Sequence, residues 1–195
     1  MAVQDAAKQL TLTPSQIEGP YFRLNAPRTK DVRVAGRPGD RLTLRGKVVN
    51  VEGTPIPNTL INFWQSDEVG NYDMIGHYLH GIVETDAKGE YEFTTIVPAC
   101  YEPRDARHIH VKVQGVSQPL TTQLYLSNDE PRVKDRYYMP ELEVQVQPAS
   151  DGGFDGTFDF IIKQVTTSEN VTPESLAATV SETLRNVPRQ PRPQN

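Results

Sequence analysis

The chain has 195 residues, a net charge of −5 from 20 basic and 25 acidic side chains, and a single cysteine. This length is enough for one domain with a substantial core. The negative charge does not favour binding to nucleic acid or to an anionic membrane, and one cysteine cannot form an internal disulfide, which fits a reducing compartment. No stretch approaches the ~18 consecutive apolar residues of a membrane span, so we expect a cytoplasmic location.

Residues 1–40 contain prolines and lack helical periodicity, so we predict an N-terminal arm. Alternation of apolar and polar side chains, punctuated by Gly, Pro, Asn and Asp, then predicts strands within a domain at 41–170. The predicted strands are 42–50, 59–65, 91–97, 108–114, 121–127, 142–147 and 157–163. Short strands separated by turn signals are typical of an all-β, antiparallel β-sandwich with irregular loops.

One short helix is predicted in the C-terminal region, 171–195. Thr172 suits the N-cap and Pro173 the first helical position of a segment that ends at Arg185. Apolar side chains four residues apart give this helix a stripe that would pack on the domain or on a partner subunit. The Pro-rich tail at 188–195 is predicted to be disordered.

A candidate metal site lies in the predicted strand 108–114. Strand geometry, with a rise of about 3.3 Å per residue, places the Cα atoms of His108 and His110 about 6.6 Å apart with their side chains on one face. Ile109 and Val111 point to the opposite face, where they would join the core. Such a pair also occurs on polar strand faces without a metal, so the pair alone leaves both interpretations open.

Two loop tyrosines are candidate partners for the histidines. Tyr72 follows a Gly-Asn turn, and Tyr101 lies in a loop between Pro98 and Pro103. A loop tyrosine taken alone is more often a half-buried side chain with a solvated hydroxyl than a ligand. Two of them beside a histidine pair favour a metal site. Cys100 is a less favoured ligand, because neighbours in an extended chain face opposite sides.

Short motifs follow one another in a specific order between residues 11 and 160. They are TPSQ (13–16), GPYF (19–22), IPNTL (56–60), WQ (64–65), GNY (70–72), TD (85–86), GEYEF (89–93), TIVP (95–98), Tyr101, HIH (108–110) and TTQLY (121–125). In order and spacing they resemble the intradiol ring-cleavage dioxygenases, most closely the protocatechuate 3,4-dioxygenase branch. The resemblance implies a non-haem Fe(III) enzyme that uses O2 to open a catechol ring between its hydroxyl-bearing carbons, giving a cis,cis-muconate-type diacid.

The resemblance also assigns the Fe3+ ligands, which would be Tyr72, Tyr101, His108 and His110. Two phenolates supply negative charge that favours Fe(III), and a bound cation promotes their deprotonation. An Fe(II) oxygenase with two histidines and one carboxylate, whether extradiol-type or 2-oxoglutarate-dependent, is disfavoured because the paired position holds a histidine. By resemblance, Tyr101 would leave the iron and accept a substrate proton.

Further roles come from the resemblance alone. Gln123 matches a glutamine of the family, and Gly19-Pro20-Tyr21 matches a segment that lines the substrate mouth. The family places an arginine three residues before the first histidine, where this chain has Asp105. We favour Arg104 for that role over Arg107, because strand alternation turns Arg107 to the apolar face.

The layout favours the protocatechuate branch, because the arm lacks the helical N-terminal region of catechol 1,2-dioxygenases. All four candidate ligands in one chain imply a catalytic subunit, and we expect a homo-oligomer acting on a catecholic small molecule and O2. Protocatechuate, catechol, hydroxyquinol and substituted catechols all remain candidate substrates. Whether Glu18, an acid beside the mouth, contacts the substrate is also left open.

A second class of protein shares some of these features. Transthyretin-like, or prealbumin-like, β-sandwiches bind carbohydrate or other ligands without catalysis, and the prealbumin-like sandwich is also the fold that we expect here. In a binding module, Trp64 and the loop tyrosines would form a stacking platform. Colour separates the two functions, because Fe(III) bound to tyrosinate absorbs visible light and a binding module would be colourless.

Overall fold

The computed structural model describes residues 9–114 and 119–163, and the predicted C-terminal helix and tail lie outside them. The described residues form strands and two 3-10 helices, at Glu130–Lys134 and Pro140–Leu142. The strands are β1 (Arg41–Val49), β2 (Leu60–Trp64), β3 (His80–Glu84), β4 (Glu90–Ile96), β5 (His108–Gln114), β6 (Leu120–Leu126), β7 (Glu143–Pro148), β8 (Phe154–Thr157) and β9 (Phe160–Ile161). Over these ranges, no helix is both long and apolar enough to cross a membrane.

The all-β class predicted from the sequence is confirmed, and the sheet is mixed. Strand order is β3-β2-β5-β6-β7-β8-β1-β4, with β9 paired to β1. Five pairings are antiparallel, and three are parallel: β6 with β7, β1 with β8 and β1 with β9. Parallel neighbours require long connections. The one between β6 and β7 carries both 3-10 helices.

Six of the seven predicted strands lie within one or two residues of the observed ones. The prediction at 157–163 was wrong in detail, because the chain there forms β8 and β9. Strand β3 was missed because it is buried on both faces and so lacks clear alternation. The cause is a close approach by the arm: a Cβ added to Gly81 would lie 2.6 Å from Val32 Cγ1.

The two halves of the sheet face each other across one hydrophobic core, as in a sandwich. Phe63 of β2 stacks on Phe93 of β4, with ring centroids 4.4 Å apart. Ile109, Val111 and Val113 of β5 are fully buried in the same cluster. Because side chains alternate along a strand, the histidines of β5 must project from the outer face of the sheet.

The arm covers that outer face. The backbone of residue 16 donates to the carbonyl of Thr121 on β6 over 2.8 Å. Phe22 packs edge-on against Trp64 of β2, with ring centroids 4.9 Å apart. His108 and His110 are therefore each only 1% exposed, although they lie on the side of the sheet opposite the core. Burial here is produced by the arm and the loops.

Phe63→Ala should test the packing between the two halves. Removing a fully buried aromatic ring that stacks on another leaves a cavity, so we expect the free energy of unfolding to fall by about 3–5 kcal/mol. Chemical denaturation measures this loss. Val133→Ala, at a site that is 61% exposed, is the control and should change stability by less than about 0.5 kcal/mol. Equal effects of the two variants would contradict the assigned core.

Candidate metal centre

The structure brings the four predicted ligands together in one cluster on the outer face of β5. Each of the four rings contacts two of the others, so the contacts close on themselves around one shared space. Ring centroids are 5.0 Å apart for His108 and His110, 5.4 Å for Tyr72 and Tyr101, 5.6 Å for Tyr101 and His108, and 6.2 Å for Tyr72 and His110. Two loops and one strand thus converge on a small shared space.

Neighbouring strands and the arm hold His110. Trp64, its register partner on β2, stacks on the imidazole with centroids 5.1 Å apart and planes 11° apart. Gly19 of the arm approaches closely and has a φ of +74°, which favours glycine. A Cβ added to Gly19 would lie 3.1 Å from His110 Cε1. A larger residue at this position would therefore press on the imidazole.

His108 is oriented by its backbone surroundings. Its Nδ1 donates to the carbonyl oxygen of Ala106 over 2.8 Å, which leaves Nε2 as the nitrogen with a free lone pair. Arg104 Nη1 lies 3.0 Å from that Nε2 and donates to it. The lone pair that would bind a metal therefore accepts a hydrogen bond from Arg104 in this structure.

Several polar atoms of the cluster are buried without a partner. In the part of the chain that the structure describes, five buried side-chain polar atoms lack a hydrogen bond, and three of them are Tyr72 Oη, His110 Nδ1 and His110 Nε2. Leaving a buried polar group unsatisfied costs about 1–3 kcal/mol, so such groups are rare and call for an explanation. A bound metal ion would satisfy the tyrosine oxygen and one histidine nitrogen.

Burial makes the cluster neutral in the absence of a cation. Burial, with the Arg104 guanidinium second, lowers the pKa of His108 to about 4, and burial lowers the pKa of His110 well below its ordinary value. Burial is also the main cause that raises the pKa of Tyr72 and of Tyr101. Two neutral imidazoles are ready to bind a metal, whereas the phenols need a nearby cation to ionise.

The donor set fits a ferric ion better than the ferrous alternative. Two oxygen donors that become anionic and two imidazole nitrogens match a hard, highly charged ion. Across residues 9–114 and 119–163, no group of three or more His, Cys, Asp and Glu side chains could hold a metal. The set of two histidines and one carboxylate is thus missing from these residues. Cys100 is exposed and free.

The two candidate arginines occupy different environments. Arg104 is buried against Asp135 in a bidentate ion pair, with Nε to Oδ2 at 2.8 Å and Nη2 to Oδ1 at 3.2 Å. The Arg107 side chain is 42% exposed and lies 3.8 Å from Asp129. Arg104 is therefore the arginine that the structure places beside the cluster.

Asp135 is a residue of the site that sequence reasoning missed. It follows the first 3-10 helix and also accepts hydrogen bonds from the backbone of Ala106 and Tyr137. The carbonyl oxygen of Ala106 in turn accepts a hydrogen bond from His108. Asp135 therefore supports both Arg104 and a candidate ligand. Its surroundings in the sequence are polar and contain proline, as in a solvated turn, so no sequence signal identified it.

Gln123 lies opposite His110 on β6 and is fully buried. Its Nε2 donates to the carbonyl of Ile17 over 3.1 Å, and its Oε1 lies 3.5 Å from the hydroxyl of Tyr125. The glutamine thus connects the arm to the strand that neighbours β5.

The segment Gly19-Pro20-Tyr21 lies directly against the cluster. Tyr21 stacks on Tyr72 with ring centroids 4.1 Å apart, and it meets Tyr101 edge-on at 6.0 Å. Pro20 is exposed. Glu18 forms an ion pair with Lys112, a second residue that the sequence analysis did not identify.

The chain is similar to known dioxygenases. A family model described as Dioxygenase matches residues 17–163. The chlorocatechol 1,2-dioxygenase of Rhodococcus opacus is 32% identical over 148 residues, which are 60% of this chain and 57% of the relative. The protocatechuate 3,4-dioxygenase beta chain of Burkholderia cepacia is 33% identical over 120 residues, which are 52% and 51% of the two chains.

A solved structure is similar over a larger share of the chain. It is the dioxygenase domain of a dioxygenase and carbohydrate-binding protein fusion from Streptomyces sp. SirexAA-E, with a TM-score of 0.75 and 38% identity over 80% of this chain and 100% of that chain.

The chain spans about half the length of the curated relatives described above. The names of these relatives do not favour the alternative of a binding module without catalysis. Because the family model covers three quarters of the residues, the chain belongs to the intradiol dioxygenase family.

Proposed function

We propose that this protein is a non-haem Fe(III) intradiol dioxygenase. It would cleave a catechol-type ring between the two hydroxyl-bearing carbons with O2 and give a cis,cis-muconate-type diacid. The observation that carries the proposal is the cluster of two tyrosines and two histidines with three buried, unpartnered polar atoms. Relatives named chlorocatechol 1,2-dioxygenase and protocatechuate 3,4-dioxygenase support the reaction class.

In this proposal Tyr72, Tyr101, His108 and His110 hold the ferric ion. When bound, Fe(III) would supply a Lewis acid that draws electron density from a catecholate. The His108 tautomer, set by the hydrogen bond to Ala106, already presents Nε2 for binding. One chain carries all four ligands, and we propose a homo-oligomer of such catalytic subunits.

Tyr101 is the better candidate for the proton acceptor. A catechol must lose two protons to bind through both oxygens, and a phenolate oxygen of the protein can accept one of them. Tyr72 is held under the stacked ring of Tyr21. Tyr101 lies at the end of a tight turn, bridged through its backbone to Arg104, and is half-buried. Its three ring contacts are edge-on or tilted, whereas one of the three ring contacts of Tyr72 is stacked.

Arg104 and Gln123 would stabilise charge and position the reacting groups. Nη1 of Arg104 now donates to His108 Nε2. With a metal held by that nitrogen, Nη1 would be available to donate to a substrate oxyanion, and Asp135 would keep the guanidinium in place. Gln123 fixes the arm at Ile17. Gly19, Pro20 and Tyr21 would line the substrate mouth and exclude water from the centre.

The ferric site predicts a coloured protein. Tyrosinate bound to Fe(III) should make the purified protein red-brown, and adding catechol without O2 should shift the visible spectrum. Tyr72→Phe should lose iron and colour, because it removes a ligand oxygen. Tyr91→Phe is the matched control: its hydroxyl is also buried but donates to Phe158 O, so iron should remain. A colourless wild-type protein that binds no iron would contradict the proposal.

Tyr101→Phe should separate metal binding from proton transfer. With three ligands left, the variant should retain part of its iron, while the loss of the accepting oxygen lowers kcat by about 100-fold or more, the usual contribution of general base catalysis. Iron analysis and stopped-flow kinetics with catechol measure the two effects. Turnover at the wild-type rate would remove Tyr101 from the role of base.

Arg104→Met and Arg107→Met should differ strongly. The first leaves Asp135 as an uncompensated buried charge, so stability should fall by about 3–5 kcal/mol, and kcat should fall because an oxyanion loses its donor. The second removes an exposed cation and should cost about 1 kcal/mol or less with kcat unchanged. Denaturation curves and kcat values of the two variants provide the comparison, and similar losses would contradict the assignment.

A further inference from the structure

Lys112 lies at the candidate site but has no part in the mechanism described above. It is on β5, two residues after His110, and its side chain therefore projects from the same outer face. The side chain is only 17% exposed. Its ammonium forms an ion pair with the Glu18 carboxylate and lies 4.1 Å from the ring centroid of Phe22, in a cation–π contact.

The two partners of Lys112 flank the segment that touches the candidate ligands. Glu18 immediately precedes Gly19-Pro20-Tyr21, and Phe22 immediately follows it. Between them, Gly19 packs on one candidate ligand and Tyr21 stacks on another. One cation on the metal-bearing strand therefore contacts both ends of a three-residue segment.

Among the described residues of the arm, hydrogen bonds between backbone groups lie before and after this segment and not within it. Before the segment, the backbone N–H of Gln16 donates to the carbonyl oxygen of Thr121. After it, the carbonyl oxygen of Pro27 accepts a hydrogen bond from the backbone N–H of Ile82. In the described structure, the stretch between these two points is held to the sheet by side chains. A side-chain tether is needed there if the segment is to keep a fixed position over the centre.

We propose that Lys112 is a positioning residue that holds Gly19-Pro20-Tyr21 over the metal centre by pairing with Glu18 and Phe22 at once. The proposal rests on the proposed function, since it assigns a role at the mouth of the same site. The proposal also accounts for an acid beside the mouth. The Glu18 charge is compensated by the ion pair with Lys112, so Glu18 need not contact the substrate. A fixed segment pre-organises the mouth and lowers the cost of binding substrate.

A different role for Lys112 would be to attract a substrate carboxylate directly. The two roles make opposite predictions for Glu18→Gln. If Lys112 recognised substrate charge, the variant would free the ammonium and lower KM for protocatechuate. If Lys112 positions the segment, the variant loosens it and raises KM for catechol and protocatechuate alike.

The single tryptophan is a built-in probe of the segment. Trp64 is 1% exposed and is covered in part by Phe22. Release of the segment should expose the indole, so acrylamide should quench its fluorescence more strongly in Lys112→Met and Glu18→Gln than in the wild-type chain. Full-length proteins at matched iron content are compared. Lys112→Arg, which keeps both contacts, should quench like the wild type.

Kinetics supply a second readout. Lys112→Met and Glu18→Gln should raise KM for catechol by about five- to tenfold, the size expected from losing one ion pair or one cation–π contact near a partly desolvated site, with kcat changed by less than about twofold. Lys112→Arg should restore KM. The matched control is Lys47→Met, which breaks another lysine–glutamate pair, 3.2 Å long and exposed on β1, and should alter neither readout.

The outcomes are distinct. The positioning role would be overturned if acrylamide quenched Trp64 in both Lys112→Met and Glu18→Gln no more strongly than in the wild-type chain. A lower KM for protocatechuate in Glu18→Gln would also overturn it. If the wild-type chain binds iron but opens no catechol ring, the proposed function fails, and the quenching comparison still decides whether Lys112 holds the segment. Should Lys112→Met not fold, Glu18→Gln tests the same contact from its half-exposed partner.

Discussion

The alternation of side chains along β5 is the constraint on which the rest of the structure depends. Ile109, Val111 and Val113 insert into the core, and this fixes the strand in register between β2 and β6. The intervening residues, His108 and His110, are thereby presented on the outer face with their rings 5.0 Å apart. The free energy of core packing thus fixes the backbone positions of both histidines, because moving either backbone position would require shifting the whole strand.

Burial of the centre comes from the arm, and burial determines its chemistry. An exposed histidine pair with two loop tyrosines would hydrogen-bond to water and have little need of a metal. Here Gly19 packs on His110 and Tyr21 stacks on Tyr72, while Phe22 packs on Trp64, and the donor atoms of Tyr72 and His110 are left without partners. A desolvated, neutral cluster of this kind gains more from a cation than a solvated one would, because interactions between charges strengthen as water is removed.

Most of the strands and the histidine pair could be predicted because each depends on local pattern, whereas Tyr72 and Tyr101 were assigned as ligands by the family resemblance. The period-two alternation identified β5 to the residue, and the spacing of His108 and His110 follows from that strand alone. Strand β3 and Asp135 could not be predicted, since each is defined by distant parts of the chain: β3 by the arm packed over Gly81, and Asp135 by its ion pair with Arg104, 31 residues away in sequence. Contacts of that kind leave no periodic signal.

Charge compensation connects the parts of the site. Both cations beside the ligands have their own acid: Arg104 pairs with Asp135, and Lys112 pairs with Glu18. Asp135 offsets part of the Arg104 charge, but Arg104 lies nearer the ligands: its Nη1 is 3.0 Å from His108 Nε2, and, after burial, its charge contributes to the lowered pKa of His108 and His110. A trivalent ion held at the proposed site would therefore need negative charge from its own ligands, and the two tyrosines are the candidate ligands able to ionise. In the proposed site, phenolate oxygens would meet this need better than further imidazoles, because the acids beside the cluster, Asp135 and Glu18, are already paired with Arg104 and Lys112.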